Sequence, residues 1–352
     1  MEELNRWQNP PEYRTMIIPF LQYAAMFQQN GDAEGIVVNP FREGESVAMP
    51  KANVIDLAKR FDGEIVSADS MQIYRYMDIG TAKVTPEEAD GVPHYLIDEL
   101  NPDEEYNVML FQQKAKAYME EIWAKGRIPI LVGGTGFYIN ALLYDNDFTE
   151  TENDTSYREE CYRIAKEEGP QVLYERLRKI DPAYAETIHA NNVKRVTRAL
   201  EYHYLTGQRF SEHNAEQKER ETPYNAAVIL LTMEREALYA RIEQRIDLMM
   251  QQGLLAEVKG LLDRGYSPKL VSMQGIGYKE FVPYFNGDCT LDEAVTQLKT
   301  NTRRFAKRQL TWFRRQIEGL WIDMSKTDGA GALAQTMTYL KEQGVLQTNN
   351  NS

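Results

Sequence analysis

Short apolar runs recur along this chain at Gly35-Ile-Val-Val38, Glu64-Ile-Val-Ser67, Tyr95-Leu-Ile97, Ile128-Pro-Ile-Leu-Val132, Ala226-Ala-Val-Ile-Leu-Leu231 and Leu320-Trp-Ile322. Between them lie stretches of helical periodicity, notably Val108 to Lys125 and Arg235 to Gln252. Strands alternating with helices predict a parallel sheet covered by helices. From 145 to 213 the rhythm stops, because the sequence there is charge-rich and helical without a strand pattern. That segment reads as a helical insertion into an α/β core spanning 35–144 and 214–325. From Leu291 to Ile317, Val295, Leu298, Thr302, Phe305, Gln309 and Trp312 recur at roughly heptad spacing. They predict one long helix with a buried stripe, Phe305 and Trp312 inward, and a basic face carrying Arg304 and Arg308 outward. Residues 1–34 form an atypical extension containing Pro10-Pro11, and 326–352 reads as a C-terminal helix with a disordered polar tail.

Composition narrows the class. A chain of 352 residues with 43% hydrophobic content can bury a large core. The run Met16 to Phe27 is too short to span a bilayer, holds Pro19 and Gln22, and follows acidic rather than basic residues, so it reads neither as a membrane span nor as a secretory signal. Two cysteines and four scattered histidines exclude a disulfide framework and a zinc site, and suit a reducing cytoplasm. A net charge of -13 argues against generic nucleic-acid binding, so an RNA site must be a local patch. Lys299, Arg303, Arg304, Lys307, Arg308, Arg314 and Arg315, with no acidic residue among them, form such a patch.

Candidate chemistry sits at two strand ends. Ligands of an open parallel sheet bind beyond the carboxyl ends of its strands. Asp69 and Thr135, 66 positions apart, both fall just past such ends and can share a cleft. On residue type alone Asp69 is as well suited to capping the next helix as to taking a proton. Gly133-Gly134-Thr135-Gly136 permits close backbone approach, although a glycine cluster is more often a tight turn than a site.

Three stretches taken together are more specific: Glu64-Ile-Val-Ser-Ala-Asp69-Ser-Met-Gln-Ile-Tyr74 running on to Asp78-Ile-Gly80-Thr-Ala-Lys83, then Ile130-Leu-Val-Gly-Gly-Thr135-Gly-Phe-Tyr138, and Arg303-Arg-Phe-Ala-Lys-Arg-Gln-Leu-Thr-Trp-Phe-Arg314. From about Val54 to Asp323 the chain resembles the bacterial tRNA dimethylallyltransferases. The resemblance implies a P-loop NTPase-like α/β fold. It implies transfer of a dimethylallyl group from dimethylallyl diphosphate, with Mg²⁺, to N6 of the adenosine at position 37 beside the tRNA anticodon. In the family Asp69 is the base, and Thr135 meets the reacting nucleotide or the diphosphate. Contacts to the tRNA anticodon loop are implied for Asp69, Ser70, Met71 and Gln72, for Arg158, for Lys194-Arg195-Val196-Thr197-Arg198, and for Gln274-Gly275-Ile276-Gly277-Tyr278-Lys279. Arg158, one of three bases among nine acids between Asp145 and Glu168, equally fits an ordinary surface ion pair. His189 reads as structural within Ile188-His-Ala-Asn-Asn192, which departs from the family's usual His-Pro-Asn-Asp run. A cytoplasmic monomer is expected.

The family's phosphate loop, Gly-x-x-x-x-Gly-Lys-Ser/Thr, is altered here. Placed by the preceding strand, Asn39 replaces the first glycine, Gly44 and Ser46 remain, and Glu45 replaces the lysine. Placed by counting back from Leu57, Pro50 takes the lysine position and Lys51 the hydroxyl position. Gly44, Ser46 and Lys51 are the candidate diphosphate ligands, with Ser46 toward Mg²⁺. A glutamate about 4 Å from a diphosphate charge costs roughly 1 kcal/mol in water and about 4 where screening is partial. One alternative follows from that loop, a catalytically impaired tRNA-binding homologue; a second is another phosphate-loop transferase or kinase, for which the altered loop is equally unfavourable and the basic helix unnecessary. Weak dimethylallyl diphosphate binding is expected. Titration measures it, and micromolar affinity would overturn the expectation.

Overall fold

Six strands make one parallel sheet: β1 (Arg14–Pro19), β2 (Gly63–Ser67), β3 (His94–Tyr95), β4 (Ile128–Gly133), β5 (Asn225–Thr232) and β6 (Leu320–Asp323), in the order β3-β2-β4-β1-β5-β6. The computed structural model describes residues 14–19, 50–146, 156–219 and 221–342. All-parallel strands need both faces covered, which is why β4 and β5 read as unbroken apolar runs rather than alternating ones. In register, Ile17 of β1 lies between Leu131 of β4 and Val228 of β5.

The sequence pattern placed the first strand at Gly35–Val38, which lies outside the described residues, and missed β1, the central strand. Apolar residues continue past β1 to Phe27, and a twelve-residue apolar run does not distinguish strand from helix. β3 stops at Tyr95 rather than running to Ile97, because Leu96 takes a left-handed conformation with φ 62°.

Around the sheet the chain supplies α1 (Pro50–Arg60), α2 (Pro86–Ala89), α3 (Val108–Ala124) and α4 (Gly136–Leu143). Helix α1 opens on Pro50, the position where a missing N–H costs least. Asn107 caps α3 by accepting the Leu110 N–H at 3.0 Å. A second compact unit, Tyr144–Thr222, then holds α5 (Ser156–Glu167), α6 (Pro170–Ile180), α7 (Pro182–Ala185), α8 (Val193–Thr206) and α9 (Phe210–Glu219), with no strand among its described residues. Its own core includes Cys161, Ile164, Leu173, Leu177, Val196 and Leu200. Buried Asp181 ties α7 to α9 by accepting the Tyr184 N–H at 3.0 Å and the Ser211 N–H at 2.7 Å.

The first unit, Met1–Leu143 with Pro223–Ser352, resumes with α10 (Arg235–Gln252), α11 (Leu254–Asp263), α12 (Val282–Asn286), α13 (Leu291–Gln316) and α14 (Gly329–Glu342). Gly253, with φ 105°, ends α10 in a conformation that suits glycine and turns the chain straight into α11. Val54, Leu57, Ala58 and Phe61 of α1 pack with Ile65, Ile130, Ile229 and with Ala332 and Leu340 of α14. The tail after Glu342 lies outside the described residues.

A charged side chain is buried within the sheet. Glu64 of β2 is 1% exposed and is met by the Arg127 guanidinium, by Lys125 at 3.1 Å and by the Tyr95 hydroxyl. Burial alone would raise its carboxyl, but hydrogen bonds from Tyr95, Arg127 and Lys125 outweigh that and hold its pKa below the usual value. A lowered folded-state pKa stabilises the fold above the unfolded value of about 4.3 and is lost as pH falls through the folded value. Glu64→Gln is therefore expected to cost about 1.5–3 kcal/mol at neutral pH. The loss should shrink in acid, read from urea midpoints at pH 7 and pH 3, and an equal loss at both would refute the ionic account.

Candidate active site

β2 and β4 are neighbours, and the turns that leave them are laced together. The Ala68 N–H donates to the Val132 carbonyl at 2.7 Å, the Thr135 N–H returns to the Ala68 carbonyl at 3.2 Å, and the Ser70 N–H donates to Thr135 Oγ1 at 3.1 Å. Gly133 makes this possible, because a Cβ there would lie 2.3 Å from the Ala68 oxygen. The Asp69 turn and Thr135 are therefore held side by side, and Asp69 lines an open cleft together with Ser67, Gln72, Gly133 and Gly134 and apolar residues such as Ile55, Val84 and Val132.

Asp69 is 3% exposed. Its Oδ1 accepts the Met71 N–H at 2.7 Å and the Gln72 N–H at 3.2 Å, so the carboxylate closes its own turn and no helix follows. The side chain thus has a local turn-closing role. Beside it, Tyr74, Tyr106 and Tyr138 form edge-on ring contacts at 6.4 and 5.8 Å, with Phe111 stacked on Tyr138 at 4.5 Å. Burial pushes the Tyr74 phenol up to about 12 and raises Tyr106 and Tyr138 as well, with the Asp69 charge a smaller contribution to the latter two. These phenols stay neutral.

The loop after Asp69 is fastened by Gln72, expected as a tRNA contact, and by Lys83 and Glu257, to which sequence reasoning gave no role. Gln72 Nε2 donates to the Thr81 and Ala82 carbonyls at 3.2 and 3.4 Å, and Gln72 Oε1 accepts the Ser67 hydroxyl at 3.0 Å. Buried Lys83 reaches the Tyr74 carbonyl, Asp78 Oδ1 and Asp98 Oδ1 at 2.5, 2.7 and 2.5 Å. It is a strut of the loop. Glu257 of α11 accepts the amides of Asp78, Ile79 and Gly80 and the Tyr278 hydroxyl. No local pattern announces such a contact across 179 positions.

The Gln274–Lys279 segment packs against this loop. A Cβ on Gly275 would lie 2.5 Å from Met71 Cε, and one on Gly80 would lie 2.5 Å from the Tyr278 ring. Tyr278 is fully buried and Gly277 buried, whereas Gln274 is exposed and Ile276 and Lys279 are half-buried. The expected RNA contact of Tyr278 is accordingly corrected to an internal one, since its ring and hydroxyl are spent on Gly80 and Glu257. Ser70, Met71 and Gln72 are half-buried.

Helix α13 closes the glycine turn from above. Gln309 Nε2 donates to the Gly134 carbonyl at 2.8 Å, and the Trp312 ring occupies the space where a Gly136 Cβ would stand. Its buried stripe is Ala294, Leu298, Thr302, Ala306, Gln309 and Phe313, so Phe305 and Trp312 border the stripe rather than form it. Of the seven basic residues, Lys299 pairs with Asp247 at 2.6 Å and Arg303 with Glu243, both acids belonging to α10. Arg304, Lys307, Arg308, Arg314 and Arg315 are exposed.

The remaining expected contacts lie in the helical unit. Lys194, Arg195 and Arg198 are exposed on α8, but Val196 and Thr197 are buried in that unit's core, which corrects their expected role to packing. Arg158 holds Glu201, itself 2% exposed, through two hydrogen bonds of 2.9 and 3.0 Å, and Arg198 adds a third cationic contact at 3.6 Å. A bidentate pair with a buried carboxylate is more than an ordinary surface ion pair. Asn192 caps α8 by accepting the Arg195 N–H at 3.4 Å, and His189 Nδ1 accepts the Asn191 N–H at 3.1 Å, so the altered run still forms its turn.

Asn39, Gly44, Glu45 and Ser46 lie outside the described residues, and Lys51 is described only as backbone in the first turn of α1. Among the described residues no group of three or more His, Cys, Asp or Glu could hold a metal ion, and no helix is long and apolar enough to cross a membrane.

Residues 72–316 match the family model described as IPP transferase. A tRNA dimethylallyltransferase of Lachnoclostridium phytofermentans is 52% identical over 296 residues, covering 83% of this chain and 94% of the relative, and one of Bacillus cereus is 50% identical over 84% and 92%. The crystal structure of the full-length tRNA isopentenylpyrophosphate transferase of Bacillus halodurans is 40% identical and superposes with a TM-score of 0.65, covering 96% of this chain and 99% of that one. A eukaryotic dimethylallyltransferase acting on tRNA, 27% identical, superposes with a TM-score of 0.72 over 95% and 78%. The P-loop-like α/β fold is common to them.

Gly133→Ala tests the contact on which the cleft depends. Forcing a methyl against the Ala68 carbonyl is expected to cost about 1–3 kcal/mol, seen as a lower urea midpoint. An alanine variant as stable as the parent would show that the two strand ends do not touch.

Proposed function

This chain belongs to the IPP transferase family, and from that premise we infer that it modifies tRNA by prenyl transfer, placing a dimethylallyl group from dimethylallyl diphosphate on N6 of adenosine 37. The observation that carries the reading is a buried carboxylate, Asp69, fixed by two backbone amides at the mouth of a mostly apolar cleft. The exocyclic amine is a poor nucleophile whose lone pair is delocalised into the ring. As it attacks the allylic carbon, the new C–N bond forms, the C–O bond to diphosphate breaks, and the N6 proton passes to Asp69. Thr135, locked to the Ser70 amide, would orient the reacting nucleotide, and the apolar wall would take the five-carbon group.

An adenosine beside the anticodon is stacked and has to be extruded before Asp69 can reach it. Exposed Lys194, Arg195 and Arg198 of α8 suit contacts to RNA backbone, as do Gln274, Lys279 and the exposed cations of α13. Mg²⁺ is proposed to accompany the diphosphate, where it would neutralise leaving-group charge, because that ion takes few protein ligands and keeps phosphate oxygens and water. Its expected ligand Ser46 lies outside the described residues, so no step here runs through it. A kinase reading has no support from the family, and a cytoplasmic monomer is the proposed working form.

Asp69→Asn keeps the shape and removes the base. It is expected to lower kcat by about 10²- to 10⁴-fold with tRNA binding intact, measured by nucleoside analysis of unmodified tRNA incubated with dimethylallyl diphosphate and Mg²⁺. Wild-type turnover in that variant would remove Asp69 from the chemistry.

A further inference from the structure

We propose that Glu257 is a positioning residue for the transfer reaction, acting on Asp69 through the Asp78–Gly80 turn; the inference rests on Asp69 being the base. Glu257 Oε2 accepts the Asp78 and Ile79 amides at 2.9 and 2.7 Å, and Oε1 accepts the Gly80 amide at 3.0 Å and the Tyr278 hydroxyl at 2.7 Å. Three successive amides converging on one anion make the concavity that proteins use to hold phosphate. Here the chain supplies its own anion from α11. Glutamine cannot replace it, because one of its two terminal atoms would turn N–H groups toward N–H groups.

Two short links connect this turn to the base. The residues that follow it, Thr81 and Ala82, give their carbonyls to the Gln72 side chain, and the Gln72 backbone N–H is one of the two on Asp69 Oδ1. The loop needs holding from outside, because Tyr76 and Ala82 adopt φ of 67° and 49°, a region that costs energy for any residue with a Cβ. Lys83 fastens the loop at the cleft side and Glu257 at the α11 side. Loss of Glu257 lets the 78–82 backbone relax, and the Gln72 and Asp69 geometry relaxes with it.

A merely structural glutamate would lower stability and leave turnover per folded molecule unchanged. One that only supports the Gln274–Lys279 segment would raise KM for tRNA and leave kcat alone. The test compares wild type with Glu257→Gln and Glu257→Asp by steady-state kinetics and by amide hydrogen exchange on the free protein. In Glu257→Gln, kcat per folded molecule is expected to fall at least about tenfold while KM for dimethylallyl diphosphate stays within about twofold. The Met71 and Gln72 amides, which report directly on Asp69, are expected to exchange at least about tenfold faster. Glu257→Asp keeps the charge, shortens the reach and should fall between, and it carries the comparison if the glutamine variant does not fold. Unchanged protection of Met71 and Gln72, or an unchanged kcat with only the tRNA KM raised, overturns the proposal. If the wild-type chain fails to prenylate tRNA, the functional reading falls, and the exchange comparison still decides whether Glu257 governs the Asp69 loop.

Discussion

Neighbouring strands of a parallel sheet run about 4.8 Å apart, and the chains leaving them must either diverge or be tied. Here β2 and β4 are tied, by the exchange among Ala68, Val132 and Thr135 across a glycine with no room for a side chain. Everything at the cleft is referenced to that knot. It sets Ser70 against Thr135, which sets the turn closed by Asp69, which presents one carboxylate at a defined height above the sheet. A cleft built from two strand ends is rigid because the sheet beneath it is, and that rigidity holds a short polar side chain in one place.

Around the knot, polar groups are used as fasteners more than as surface. Lys83, Gln72 and Glu257 together bind one loop from three directions, and each satisfies backbone groups that regular structure leaves unpaired. The arrangement suits a loop that must hold left-handed residues without glycine. By contrast the helical unit meets its buried charge, Glu201, with two arginines that remain partly exposed, so the carboxylate is buried while its partners stay hydrated.

Much of this was legible in the sequence where the signal was local. The runs at Ile128 and Ala226 gave β4 and β5 to within a residue or two, and α10 begins and ends at the residues its periodicity marks. The Asp69 and Thr135 turns lie side by side, because parallel topology brings strand ends to one side. β1 was hidden by apolar residues that continue beyond it. The stripe of α13 was misread by one position at Val295, Phe305 and Trp312, because a strict seven-residue repeat belongs to supercoiled helices, whereas a straight helix drifts about 20° per heptad. Family motifs treat Lys194–Arg198 and Gln274–Lys279 as blocks, while the fold sorts each block into exposed and buried members. Glu257 was invisible, since nothing in its own helix distinguishes it from a solvated glutamate.

The seat of Trp312 on Gly136 carries one more implication. A helix lying on a domain can in principle roll about its axis, and each residue of slippage swings its surface through about 100°. An indole set into a gap left by a missing methyl, with Gln309 hydrogen-bonded one turn earlier, removes that freedom for α13. The compass bearing of Arg304, Lys307 and Arg308 is thereby dictated from within the cleft wall. The direction in which this acidic protein offers positive charge to solvent is settled by the smallest residue beneath its longest helix.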